Sequence, residues 1–258
     1  MYFKKTHSSK ITVALNIVIL LLVQSCKLAD LRTSQINDSQ PNQEQKAIDL
    51  LDQVISNQGL KILAQSETYS VTAVDNWKGL MTLMNPLPKD NKPMVLRYRP
   101  MSFDGQFNYV ASKHKTIYGT QSLQSYEMDE FGKVTFRNKE KITFSLAAIQ
   151  YFIELPLRLR NAPILKYAGV KEFEGKTYDL VFATWDQFQP HQEHDQYILY
   201  IDREDGLLAY VNYTIRGMYL PMPKNIYGSL RMEDYQKSKD GILHPTYLYV
   251  QLNQLKKK

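Results

Sequence analysis

The stretch Gln196-Tyr-Ile-Leu-Tyr-Ile-Asp-Arg-Glu-Asp-Gly-Leu-Leu-Ala-Tyr-Val-Asn-Tyr-Thr-Ile-Arg216 decides the fold. Its two halves, 196–202 and 207–216, are rich in β-branched and aromatic residues, which favour strands. The turn Arg203-Glu-Asp-Gly206 separates them and supplies the residues that a tight connection requires. The stretch therefore predicts a β-hairpin.

The same pattern recurs on both sides of this hairpin. Turns at 174–176 and 239–241 each separate two further strand-like runs. Less regular strand signals lie upstream, at 69–77, 94–99, 106–111 and 116–128. A succession of hairpins predicts a mainly antiparallel β protein whose meander curves into a large sheet or barrel.

Two helices interrupt the strand pattern. Residues 42–59 predict an amphipathic helix, with Asn42 as N-cap, Gln45 in capping-box position and Gly59 as terminator. Its apolar positions recur at helical spacing: Ala47, Leu50, Leu51, Val54 and Ile55.

The second predicted helix lies in the middle of the chain. Ser145 is its expected N-cap, residues 146–155 form its body, and Pro156 ends it. The body is apolar on nearly every face, so it must be buried, lie against a membrane or cover a hydrophobic cavity. Within a strand-rich chain, this predicts a lid or plug over a curved sheet.

Residues 1–25 have the pattern of an export signal, and Cys26 follows it directly. Basic residues precede an apolar run from Ile11 to Val23, and the small residue Ser25 stands directly before the cysteine. The run is shorter than the roughly 20 residues of a membrane-spanning helix, so a permanent span is disfavoured. The order is that of a bacterial lipoprotein signal and predicts cleavage before Cys26 and lipidation of its thiol. The alternative is an ordinary cysteine near a conventional signal peptide.

These signals predict three segments. Residues 1–25 form the signal peptide, residues 26–45 form the lipidated cysteine and a flexible tether, and residues 46–258 form a single β domain. The only cysteine is Cys26, so an intramolecular disulfide is excluded. Removal of the signal lowers the formal charge from +6 to +3, because three lysines leave with it. The lysine run 256–258 is typical of a solvated tail, and no nucleic-acid partner is predicted.

No motif predicts catalysis, a metal or a cofactor. The sequence His191-Gln-Glu-His194-Asp195 is dense in metal-capable side chains, but it lies in a predicted loop and lacks a further ligand. Ser112 and Lys115 have the spacing of serine acyl-enzymes only in a helix, and their context is strand-like. We therefore predict a protein that is not an enzyme.

Four stretches carry a resemblance to a known family: 151–160 (YFIELPLRLR), 178–185 (YDLVFATW), 195–202 (DQYILYID) and 240–245 (DGILHP). Together with the element order, they resemble the LolA/LolB-like envelope proteins, and most closely an uncharacterised lipid-anchored group of that fold. The resemblance implies an N-terminal helix before a strongly curved, incompletely closed antiparallel barrel. It also implies inserted helices over the mouth of the barrel and an apolar cavity that holds lipid.

The resemblance and the cysteine together predict a lipid-anchored protein of the bacterial envelope, at the outer membrane and facing the periplasm or the cell surface. It would bind a lipid or other apolar ligand without catalysis. The expected wall residues are Tyr151, Phe152, Leu180, Phe182, Leu199 and Ile201, and the opposite strand parity stays open. Two alternatives remain: an interaction module for another envelope protein with a filled core, and a hydrolase that uses His191 and His194.

Overall fold

The computed structural model describes residues 28–36, 42–78, 82, 85, 87–88, 92–113, 115–219 and 222–253. The predicted signal peptide, Cys26 and the lysine run 256–258 lie outside these ranges. Within the described part of the chain, no helix is both long and apolar enough to cross a membrane.

The first half of the chain forms two helices and six strands. The helices are α1 (Gln43–Asn57) and α2 (Leu60–Gln65). The strands are β1 (Tyr69–Ala73), β2 (Met94–Tyr98), β3 (Gly105–Tyr109), β4 (Ile117–Gln121), β5 (Gln124–Met128) and β6 (Val134–Arg137).

The second half repeats this plan with longer strands. Its helices are α3 (Glu140–Ile153) and α4 (Leu155–Leu159). Its strands are β7 (Ile164–Phe173), β8 (Lys176–Thr184), β9 (Tyr197–Asp202), β10 (Leu208–Thr214), β11 (Tyr227–Lys237) and β12 (Leu243–Leu252).

The strands form two six-stranded antiparallel sheets, each a meander in chain order. The first sheet runs from β1 to β6 and the second from β7 to β12, and both are curled but not closed. The predicted class, a curved and incompletely closed antiparallel β fold with an N-terminal and an inserted helix, is confirmed. The sequence pattern does not indicate the division into two sheets, which coincides with the insertion of α3 and α4.

Turn chemistry explains which hairpins were predicted. Glu174 and Gly175 both have positive φ, 52° and 77°, and form a two-residue turn between β7 and β8, within the predicted turn 174–176. The predicted strand 116–128 is two strands, because Ser122 and Leu123 also turn the chain with positive φ, 49° and 61°. Neither residue is a glycine or an asparagine, so no turn signal marks this position.

The first helix begins and ends at the predicted residues, but one expected cap is wrong. Asn42 is the N-cap, yet its side chain makes no capping hydrogen bond. Gln45 does not form the capping box; its Nε2 donates to Asp49 Oδ1 (2.8 Å) one turn further on. Gly59 follows the helix with φ 68°, the left-handed conformation that glycine favours.

The inserted helix starts earlier than predicted. It begins at Glu140, so Ser145 is not an N-cap but an interior residue. The Ser145 hydroxyl donates to the carbonyl oxygen of Lys141 (2.5 Å), a bond that satisfies a serine within a helix. Pro156 does not simply end the helix, because it lies in the first turn of α4, where no backbone N–H is needed.

The all-round apolar character of α3 has a structural reason: the helix lies between two hydrophobic cores. Ile142 and Leu146 pack with Phe107 and other side chains of the first sheet. Tyr151 and Phe152, near the other end of the helix, pack against the core of the second sheet. One helix therefore packs against the cores of both sheets, which accounts for its apolar residues on nearly every face.

The central strands of the second sheet, β8 to β10, are buried on both faces. One face carries Val181, Leu199 and Val211 and is covered by α1, α4 and the end of α3. The opposite face carries Phe182 and Ile198 and is covered partly by residues that precede α1. Covering on both faces explains why these strands read as nearly continuous apolar runs rather than as clean alternation.

The covering residues are 28–36, which we call the strap. The Thr33 hydroxyl donates to the carbonyl oxygen of Ala168 (2.6 Å), and the Gln35 side chain makes two hydrogen bonds with the backbone of Val170 (2.9 and 3.0 Å). The prediction of a flexible tether over 26–45 is wrong for these residues. Their polar composition suggested a solvated coil, but several polar groups bond to the backbone of β7.

A buried carboxylate joins the inserted helices to the first sheet. Glu154, between α3 and α4, is fully buried. It accepts hydrogen bonds from Tyr69 Oη (2.9 Å), Gln150 Nε2 (2.8 Å), the Met101 backbone (3.1 Å) and Arg158 Nε (2.9 Å). We call these five residues the Glu154 node. The node connects β1, the β2–β3 loop, α3 and α4 by charge-assisted hydrogen bonds.

Candidate functional site

The six predicted wall residues do not share one face. Tyr151, Phe152, Leu199 and Ile201 belong to one core cluster, whereas Leu180 and Phe182 belong to the cluster on the opposite face of the second sheet. The six residues therefore cannot line one wall, because Leu180 and Phe182 lie on the face opposite Leu199 and Ile201.

Strand register is the reason. Val181 lies opposite Leu199, and Phe182 lies opposite Ile198, so even positions of β8 share a face with even positions of β9. The long connection 185–196 between the two strands hides this relation, because only a short turn fixes the register of a pair from sequence.

An aromatic cluster marks the place where α3 meets the second sheet. Neighbouring ring centroids lie 4.8 Å apart for Phe152 and Tyr213, 5.7 Å for Tyr151 and Tyr197, and 5.9 Å for Trp185 and Tyr197. The complete set, called the aromatic cluster below, is Phe103, Tyr151, Phe152, Trp185, Tyr197 and Tyr213. Sequence reasoning found only Tyr151 and Phe152.

The cluster offers an apolar surface with polar edges. Tyr197 is 7% exposed, while Tyr151, Phe152, Trp185 and Tyr213 are only partly buried. Partly exposed aromatic rings with hydroxyl groups suit a ligand that is apolar along its length and polar at one end. The missed signal is that Trp185, Tyr197 and Tyr213 are aromatic residues at adjacent strand ends.

Two solvent-open hollows among the described residues have linings that include no member of the aromatic cluster. One, of about 320 Å³, is lined by 172–177 at the β7–β8 turn. The other, of about 450 Å³, is lined by residues of 64–67 together with Arg99 and Pro100.

A mostly buried carboxylate lies beside the aromatic cluster. Asp195 Oδ1 accepts hydrogen bonds from the Thr214 hydroxyl (3.0 Å) and the Arg216 backbone N–H (2.9 Å). Burial raises the pKa of Asp195 from 3.8 to about 6, although these hydrogen bonds and the nearby Arg216 charge act in the opposite direction. Burial is the larger effect, so the folded state holds the proton on Asp195 more tightly than the unfolded chain does.

This shift predicts a pH-dependent stability difference. The pKa of Asp195 is about 6 in the folded state and 3.8 in the unfolded chain. Protonation of Asp195 therefore stabilises the fold fully below pH 3.8, and this contribution is lost as the pH rises through about 6. The shift corresponds to about 3 kcal/mol. Asp195→Asn keeps the acceptor oxygen without the charge. Its stability relative to the parent should therefore rise by up to about 3 kcal/mol between pH 4 and pH 7.5, measured by urea unfolding. A constant difference would contradict this assignment.

The histidine loop brings its predicted residues together but is poorly arranged for a metal. Donor atoms of His191, Glu193 and His194 lie within 4.8 Å of one another. However, His191 Nδ1 accepts hydrogen bonds from the backbone N–H groups of Glu193 (2.9 Å) and His194 (3.2 Å). A metal on Nε2 would require the ring proton on Nδ1, where it would face these two donors. The geometry favours a loop that His191 holds in shape.

Neither a protein-family model nor a curated protein matches the chain. Several solved structures align with it. A LolA superfamily protein from Nitrosomonas europaea aligns at 10% identity and a TM-score of 0.41, over 82% of this chain and 86% of that one. A DUF1329 family protein from Desulfovibrio piger aligns at 12% identity and a TM-score of 0.45, over 81% and 86%.

A third solved structure, the Mycobacterium tuberculosis lipoprotein LppX, aligns at 10% identity and a TM-score of 0.27, over 66% of this chain and 88% of that one. The structures that the chain resembles thus include one of the LolA superfamily, the fold group that the sequence resemblance named.

Proposed function

We propose that this chain is a lipid-anchored protein of the bacterial envelope that binds an acyl chain or a similar apolar ligand without catalysis. The observation that carries the proposal is the aromatic cluster, whose partly exposed rings stand at the junction of α3 and the second sheet. Lipidated Cys26 would hold the protein at the membrane.

The ligand site would comprise the aromatic cluster and the apolar floor beneath it. Tyr151 and Phe152 supply the helix side, and Leu199 and Ile201 belong to the same core. Leu180 and Phe182 face away from it and are not part of the proposed site.

This proposal predicts an unequal effect of two phenylalanine substitutions. Phe152→Ala should weaken binding of a fluorescent fatty acid to residues 27–258 by about tenfold, the usual effect of losing a central aromatic contact. Phe188→Ala is the matched control, because Phe188 is also partly buried but lies on the opposite face of the sheet. There its ring centroid is 5.4 Å from that of Phe182. It should change affinity less than twofold.

Probe titration and mass spectrometry of organic extracts measure this. Equal effects of the two substitutions would place the binding elsewhere. Absence of both probe binding and co-purified lipid would remove the carrier function altogether.

An interaction module is the second candidate, and edge strand β12 favours it. Four consecutive residues, Tyr247 to Val250, are 44–52% exposed and large. Among the described strands, β12 pairs with β11 alone and is the edge of its sheet. An exposed apolar edge strand can pair with a strand of another protein. A photo-crosslinking residue in place of Tyr249 should then give a discrete adduct in the envelope.

A further inference from the structure

The strap ties the region after Cys26 to one end of the second sheet, which we call the rim. Strands β8 and β10 end at the rim and β9 and β11 begin there, so the described residues 185–196, 215–219 and 222–226 belong to it. The Ala29 backbone N–H donates to the carbonyl oxygen of Lys224 (2.9 Å), and Arg216 Nη2 donates to the carbonyl oxygen of Ala29 (2.8 Å). Ala29 is therefore fixed at the rim.

We infer that the rim faces the membrane. This inference rests on the proposed anchoring through Cys26. Only three residue steps separate Cys26 from Ala29, and an extended chain covers about 3.5 Å per residue. A lipid on Cys26 would thus hold the rim within about 10 Å of the head groups. A flexible tether over the whole of 26–45 would impose no such orientation.

The same orientation places the aromatic cluster next to the bilayer. Trp185 directly follows β8, Tyr197 is the first residue of β9, and Tyr213 is the last but one of β10. These three rings therefore lie at the rim end of the sheet. An acyl chain that leaves the bilayer would meet them without crossing bulk water.

A thiol-labelling experiment on the lipidated full chain tests the orientation. Lipidation consumes the only native thiol, so Glu193→Cys at the rim, or Asp240→Cys at the tip of the β11–β12 hairpin, supplies the only free one. The 11 residues of β11 separate the two ends by roughly 35 Å. Each labelled protein is reconstituted in phosphatidylethanolamine and phosphatidylglycerol vesicles with a nitroxide quencher on some head groups.

The rim label should be quenched several-fold more than the tip label. Insertion of twelve Gly and Ser residues between Lys27 and Leu28, a linker with an r.m.s. span of about 19 Å, should remove this difference while the protein still floats with vesicles. If the protein floats but the tip label is quenched equally or more, the orientation is wrong and the anchoring stands. If the protein does not float and Cys26 reacts with maleimide, the anchoring fails and the inference with it.

Discussion

Glu154→Ala should lower the free energy of unfolding by about 3–5 kcal/mol, the usual cost of removing one partner of a buried ion pair. Glu154 is fully buried, and the Arg158 side chain is 8% exposed. Without the carboxylate, Arg158 stays buried and unpaired, and Tyr69, Gln150 and the Met101 backbone lose an acceptor. Because the node joins the inserted helices to the first sheet, the loss should also separate the unfolding of the two sheets.

A surface ion pair of similar geometry is the matched control. Asp52 Oδ1 accepts from Arg160 Nε at 2.7 Å, close to the 2.9 Å between Glu154 and Arg158, but the Asp52 side chain is 52% exposed. Asp52→Ala should therefore cost no more than about 1 kcal/mol. Urea unfolding of residues 27–258, followed by near- and far-UV circular dichroism, measures both. Similar losses for the two variants would show that burial does not set the strength of the Glu154 node.

Cys26→Ala should release the protein from membranes. Each buried methylene of an acyl chain contributes about 0.8 kcal/mol, so the several chains of a mature lipoprotein together anchor it firmly. The Cys26→Ala protein lacks these chains. The released fraction should therefore approach the whole population in a high-salt wash. Fractionation with immunodetection, together with mass spectrometry of the N-terminal peptide, measures it.

Ser25→Thr is a matched control for this substitution, because it changes the neighbouring small residue and leaves the thiol. It should slow processing without abolishing anchoring. Membrane retention of the Cys26→Ala protein after the high-salt wash would contradict lipidation and would instead point to an uncleaved apolar segment.

Local sequence patterns were sufficient to predict the hairpins and helices, but not which elements pack against one another. The turns at 174–176 and 203–206 carry glycine, so their positions were readable, whereas Ser122 and Leu123 turn the chain with no such signal. The face of β8 that meets β9 depended on the long connection 185–196, whose conformation no local rule specifies. The six proposed wall residues therefore belong to core clusters on two opposite faces of the second sheet.

The sequence by itself determined the β-rich meander and the apolar inserted helix, because each depends on residues close together in the chain. Tertiary structure alone decided the two sheets, the aromatic cluster, the Glu154 node and the docking of the strap. These features join residues that are far apart in sequence, such as Thr33 with Ala168 and Tyr69 with Glu154. Their formation depends on burial and register across the whole fold, which no short segment encodes.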